Sequence, residues 1–223
     1  SIPEVLFRCD LDDLKLFCQS SVKDKSGQTI DRMTEKHWLF LANLYNKTRT
    51  VIKFEETDYY ALLKRVKKNA VVLKETDLEI VQRACELISK KYNNSTVEFG
   101  FYHGDFTPWN TVIENGKIKV FDFEYAKRTY PPYLDAVHYL LQKNFFVDGL
   151  NDANQIYSSL KESSIWKKFD DRRSLEMVIM YLLEIINLYL SRTSEESLDE
   201  KSRQKIRIEI LEKAVTEYAN LSR

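Results

Sequence analysis

The sequence predicts a mainly α-helical fold with one small β-hairpin at its centre, and three observations carry that expectation. Apolar residues recur at helical spacing from Asp10 to Tyr92 and again from Pro132 to the end of the chain. Between these stretches, residues 111–123 (TVIENGKIKVFDF) alternate apolar and polar around Asn115-Gly116, a dipeptide suited to a tight primed turn. No linker, repeat or low-complexity tract interrupts the pattern, so residues 1–223 are expected to form one domain.

Taken in order, the periodicity predicts helices over 10–19, 32–46, 56–68 and 76–92, with Asp10, Asp31, Thr57 and Thr76 as N-caps. The stretch 97–110 is too aromatic and too interrupted for a helix and reads as strand followed by loop. Strands are expected at 111–114 and 117–122, packed against the 76–92 helix. Helices return over 133–147, 152–161, 171–192 and 199–221. In the last, Ile206, Ile210, Ala214, Tyr218 and Leu221 form an apolar stripe with charges opposite. The run from Leu175 to Leu190 is interrupted by Glu176, Glu184 and Asn187 and is shorter than a bilayer span, so it reads as a buried core helix.

Composition narrows the function classes. With 43% hydrophobic and 30% charged residues the chain can bury a core. Lys plus Arg and Asp plus Glu both number 34, so no global charge draws it to nucleic acid or to a membrane surface. The basic run Lys64, Arg65, Lys67 and Lys68 reads as a solvated helix face, and Glu195, Glu196, Asp199 and Glu200 as a loop and helix start. Three widely spaced cysteines and no visible signal peptide suit the cytoplasm, with buried thiols. Only five glycines are present and none builds a phosphate-cradling loop, which excludes Walker and Rossmann signatures. The chain begins at Ser1 without a methionine, as a fragment or processed form would.

The residues that carry chemistry cluster around the hairpin. HGDFTPWN places His103, Asp105 and Asn110 on an irregular loop, and VFDFE places Asp122 at the end of the second hairpin strand. Phosphoryl transfer needs a carboxylate to orient the acceptor hydroxyl and oxygen ligands to hold magnesium against the phosphates. Asp105, four residues, Asn110, and then an aspartate after a hairpin follow the order of a protein-kinase catalytic loop. Each residue alone would be an ordinary turn former; jointly spaced, they define a candidate site.

HGDFTPWN followed by VFDFEYA resembles the catalytic core of aminoglycoside phosphotransferases, choline kinases and related small-molecule kinases, over about residues 95–145. The resemblance implies the C-terminal lobe of a protein-kinase-like fold. In that reading 1–95 is a helical region before the catalytic loop, 96–125 holds the catalytic loop and metal-binding hairpin, and 126–223 is a helical acceptor-side region. It implies Asp105 as catalytic base, His103 as a brace of the catalytic loop, and Asn110 and Asp122 as ligands of Mg2+ or Mn2+. Glu124 is either a third metal-proximal carboxylate, grouped with Asn110 and Asp122 as binding the cofactors, ATP and its metal, or a surface acid on the hairpin exit. The partners implied are a nucleotide and a small-molecule hydroxyl acceptor.

The wording FDFEYA, with Asp135 and His138 in YLDAVHYL, is nearer to choline kinases and favours a metabolic acceptor. Asp135 and His138 are expected to anchor the helix that follows, and Phe106, Trp109 and Phe123 to pack under the loop. The family's N-terminal nucleotide-binding lobe is not evident. Val51-Ile52-Lys53-Phe54 superficially resembles its lysine strand, but only 51 residues separate Lys53 from Asp105. The 223 residues alone are therefore expected to have little kinase activity, and a noncatalytic kinase-like binding module is the alternative. A metal-dependent phosphohydrolase built on His103, Asp105 and Asp122 fails on ligand count, because the chain has three histidines and no pair near the motif.

Overall fold

The computed structural model describes residues 5–11, 14–19, 30–192 and 198–221. Its first two elements are strands: β1 (Val5–Leu11) and β2 (Leu14–Gln19) pair antiparallel, with Arg8 opposite Phe17 and Leu11 opposite Leu14. This corrects the helix expected over 10–19, and with it the start of the helical region expected over 1–95. Leu11, Leu14 and Cys18 do match helical spacing, but Val5, Phe7, Cys9 and Leu11 alternate with period two. A second strand two residues away gives that alternation a partner for its backbone groups.

Helix α1 (Glu35–Thr48) starts one residue after Thr34, whose backbone N–H donates to His37 Nδ1 at 3.1 Å. Thr34, not Asp31, therefore sits at the helix start, because His37 at the third helical position can return the cap contact. A short strand missed by the sequence reading, β3 (Thr50–Lys53), and a 3-10 turn lead to α2 (Asp58–Asn69). Thr57 caps α2 as expected, its hydroxyl accepting the Tyr60 N–H at 3.0 Å. Helix α3 (Glu75–Tyr92) begins at Glu75, before the expected cap Thr76.

β4 (Thr96–Tyr102) runs into the 103–110 loop, which is followed by the hairpin of β5 (Thr111–Glu114) and β6 (Lys117–Val120) and then by β7 (Lys127–Tyr130). The central strand of a three-stranded antiparallel sheet is β4, between β3 and β7. In the hairpin Thr111 faces Val120 and Glu114 faces Lys117. Asn115 and Gly116 have φ of 48° and 75°, both left-handed, as a type I′ turn requires. His37 Nε2 lies 3.3 Å from the Thr111 hydroxyl, so the hairpin packs on α1 rather than on the 76–92 helix. The buried face of α3, Val81, Ala84, Cys85 and Ile88, is covered by α2 and the two helices that close the fold.

The remaining helices are α4 (Leu134–Phe146), α5 (Ala153–Lys161), a short α6 (Ser164–Lys168), α7 (Asp171–Leu190) and α8 (Leu198–Asn220). Every residue of α7 from Ser174 to Leu183 is buried, and α2, α3, α4 and α8 surround it. That is the core helix expected from the sequence. Its buried Glu176 accepts from Lys91 Nζ at 2.7 Å, from the Tyr92 hydroxyl and from Arg173 at 3.3 Å, which ties α7 to α3. Among the described residues no helix is long and apolar enough to cross a membrane. In α8, Ile210, Ala214 and Tyr218 of the expected stripe are buried and Ile206 is partly buried, whereas Leu221, one residue beyond the helix, is exposed.

Candidate functional site

The 103–110 loop leaves β4 at Tyr102 and reverses at Gly104, whose φ of +86° is open to glycine but strained for other residues. A Cβ at this position would sit 2.6 Å from the Tyr125 carbonyl oxygen, so the loop and the hairpin exit are in direct backbone contact there. Downstream, the Asn110 N–H bonds the Thr107 carbonyl and hydroxyl, and the Thr111 hydroxyl donates to the Thr107 carbonyl at 2.9 Å. These local bonds close the turn that aims Asn110 back at Asp105.

His103 is fully buried and joins the loop to the hairpin. Its Nδ1 accepts the Asp105 N–H at 3.1 Å, which leaves Nε2 to donate to the Phe121 carbonyl at 3.1 Å. Burial lowers its pKa to about 4, consistent with a neutral ring in this tautomer. Phe123 packs on it with ring centroids 4.2 Å apart. Phe106 is buried and stacks on Phe40, but Trp109 stays 40% exposed with its edge towards Phe146, so only two of the three motif aromatics lie under the loop.

Asp105 and Asn110 are in contact. The Asn110 side-chain amide donates to Asp105 Oδ2 at 2.6 Å and to its backbone carbonyl at 3.0 Å. On the other carboxylate oxygen, Oδ1, lies His138 Nε2 at 3.1 Å, while His138 Nδ1 lies 3.0 Å from the Tyr181 hydroxyl. A carboxylate only accepts, so Nε2 carries the proton and Nδ1 accepts from Tyr181. The Asp105 side chain nevertheless keeps 25% of its surface open to solvent.

Asp122 is exposed immediately beyond β6 in a left-handed conformation, φ 67°, one of the few such residues other than glycine in the fold. Its pKa is raised, first by the partial desolvation of its carboxyl despite that exposure, then by Glu124 and by Asp105, while the Glu124 N–H bonds its carboxylate and pulls the other way. Asp122 is thus near enough to Glu124 and to Asp105 for their charges to act on it. Glu124 itself is exposed, which places it at the rim.

Asp135 and His138 act as the expected polar anchors of α4, on which they stand, and the partner they hold is the preceding loop. The Asp135 carboxylate accepts the backbone N–H of His103 at 2.9 Å and of Gly104 at 3.0 Å. Complete burial pushes its pKa up to about 7, against the pull of those two amides. Residues three apart at a helix start share one face, but nothing local names the loop they bind, and Tyr181, three elements further on in α7, left no signal either.

Among the described residues no group of three or more His, Cys, Asp and Glu side chains is arranged to hold a metal ion. The Asn110 amide oxygen and the Asp122 carboxylate still suit a hard cation that keeps waters and phosphate oxygens in its shell. The charges of Glu124 and Asp105 both raise the Asp122 pKa, and a cation beside Asp122 would relieve that repulsion. Set against protein-family models, curated proteins and solved structures, the chain gives no match.

Proposed function

We infer that the protein is a phosphotransferase that moves the γ-phosphoryl group of ATP to a hydroxyl of a small molecule. One observation carries this reading: the Asp105 carboxylate is held from both sides, by Asn110 and His138, yet remains partly open beside Asp122. A structural turn residue has no need of two side-chain clamps, whereas a base that must meet an incoming hydroxyl does.

Asp105 accepts the acceptor proton as the oxygen–phosphorus bond forms, and the electron pair of the broken bond leaves with ADP. With its amide nitrogen engaged by Asp105, Asn110 would have its oxygen to offer a divalent cation, and Asp122, with Glu124 at the rim, would add negative oxygen for it. Magnesium, when bound, contributes charge neutralisation of the phosphates. His103 holds the loop and takes no proton, because both of its nitrogens are used in backbone bonds.

The test is phosphate transfer from ATP by the full-length protein to a panel of sugars, sugar phosphates, amino alcohols and aminoglycosides. Asp105→Asn should lower turnover by about 10²–10⁴-fold, the usual worth of a positioned base, with ATP affinity nearly unchanged. A full-length protein that transfers phosphate to no acceptor would favour the noncatalytic binding module.

A further inference from the structure

A cavity of about 410 Å³ opens next to the catalytic loop, walled by Gly104 and Tyr125 on one side and by α2 and α7 on the other. Its volume lies within the range of small-ligand sites. Gly104 precedes Asp105 and Tyr125 follows Glu124, so the cavity adjoins the two segments that carry the site, although the Asp105 and Glu124 side chains do not themselves line it.

The chemistry of the lining is specific. Arg65 and Lys127 both face the cavity, and neither makes an ion pair within 4.0 Å among the described residues. Of the basic run on α2, Arg65 is the member that contributes to this wall rather than only to the solvated face. The single carboxylate, Glu184, is engaged by the Tyr130 hydroxyl at 2.7 Å; burial raises its pKa, while the Tyr130 bond and the charges of Lys127 and Arg65 pull it down, so one carboxylate offsets part of the two positive charges. Asn69 Nδ2 donates to Asn187 Oδ1 at 3.1 Å, which leaves the Asn69 oxygen and the Asn187 amide for a ligand. The Tyr125 ring is already covered by the Arg192 guanidinium, 5.4 Å from its centroid, and its hydroxyl accepts from Arg192 at 2.6 Å.

These features disfavour a quaternary or primary amine, which needs free aromatic faces or unpaired carboxylates. They favour an anion with hydroxyls attached. We propose that this cavity is the acceptor site and that the acceptor is a sugar-like polyol carrying a phosphate or carboxylate group. The anion meets Arg65 and Lys127, and the hydroxyls meet Asn69, Asn187 and Glu184. The assignment rests on the phosphotransferase reading for its role, but the binding it requires does not depend on turnover.

Calorimetric titration of the full-length protein separates the two. The probes are glucose 6-phosphate, glucuronate, glucose, choline, glucosamine and inorganic phosphate. At least one anionic sugar should bind about ten-fold or more tightly than glucose, the phosphate and carboxylate probes telling which anion is preferred, and Arg65→Gln with Lys127→Gln should remove that preference while leaving the circular dichroism spectrum and the Mg-ATP affinity unchanged. Tighter binding of choline or glucosamine than of either anionic sugar overturns the proposal. So does no binding of the anionic sugars, inorganic phosphate binding as tightly as they do, or anionic-sugar affinity unaltered in the double variant. If anionic sugars bind as expected but Asp105→Asn leaves transfer unchanged, the catalytic reading fails and the cavity assignment as a binding site stands.

Discussion

His138 Nε2 lies 3.1 Å from Asp105 Oδ1, and the Tyr181 hydroxyl fixes the imidazole from its other nitrogen. His138 therefore sets the direction in which the loop carboxylate faces. His138→Ala should lower turnover by about 10- to 100-fold through misplacement of Asp105, with the KM for ATP unchanged. His138→Asn, which keeps an N–H donor, should recover part of the loss. Equal turnover in wild type and His138→Ala at equal folded fraction would remove His138 from the site.

Gly104 offers a stability test of the loop geometry. Gly104→Ala combines a left-handed backbone with a Cβ 2.6 Å from the Tyr125 carbonyl oxygen, and should cost about 2–4 kcal/mol. Gly100→Ala has no positive φ and meets the Tyr45 ring edge at 2.9 Å, so about 1–2 kcal/mol is expected there. Denaturant midpoints of the two variants should differ in that order.

Glu176 tests the joint between α7 and α3. Its side chain is 1% exposed and carries Lys91, Arg173 and Tyr92 as partners, so Glu176→Ala should destabilise the fold by about 2–4 kcal/mol. Lys91→Ala should cost about 1 kcal/mol or less, because its exposed side returns to water and other donors remain on Glu176. Similar losses for both variants would contradict this asymmetry.

Acid should weaken the fold through its buried histidines. Burial lowers both His37 and His103 from 6.5 to about 4, so each contributes stability that is present above pH 6.5 and is lost as the pH falls through 4. Asp135 works the opposite way: raised from 3.8 to about 7, it contributes stability below pH 3.8 that is lost as the pH rises through 7. His37→Gln keeps a capping partner for Thr34 and should give a shallower loss of stability between pH 6.5 and 4 in urea titrations. A slope identical to wild type would exclude His37 from the acid transition.

The helical layout was legible because the periodic apolar stripes of α2, α3, α4, α5 and α7 are long enough to be read one at a time. The Asn115-Gly116 turn was legible for the same local reason. β1, β2 and β3 were not: the alternation of β1 overlaps apolar positions that also fit helical spacing, and the four-residue β3 earns its place only beside β4, whose Val97 and Phe99 supply the facing residues. At the site, spacing placed Asp105 against Asn110 and brought Asp122 near. It gave no hint that Asp135 and His138 reach backwards, because a helix start announces its own cap and not the loop it will bind. The cavity wall formed by Arg65, Lys127 and Glu184 joins residues far apart in sequence, which no local pattern records.

The two bonds from Asp135 to the His103 and Gly104 amides span 32 and 31 residues. During synthesis the 103–110 loop therefore emerges well before the carboxylate that holds its backbone, and its final shape waits until α4 has formed and docked. The same linkage makes the loop an unusual reporter. Surface loops ordinarily exchange their amide hydrogens through small local openings, but these two amides can be released only by detaching α4 from the core. Deuterium uptake at His103 and Gly104 should consequently follow the slow exchange of the buried α7 amides rather than that of the neighbouring turns.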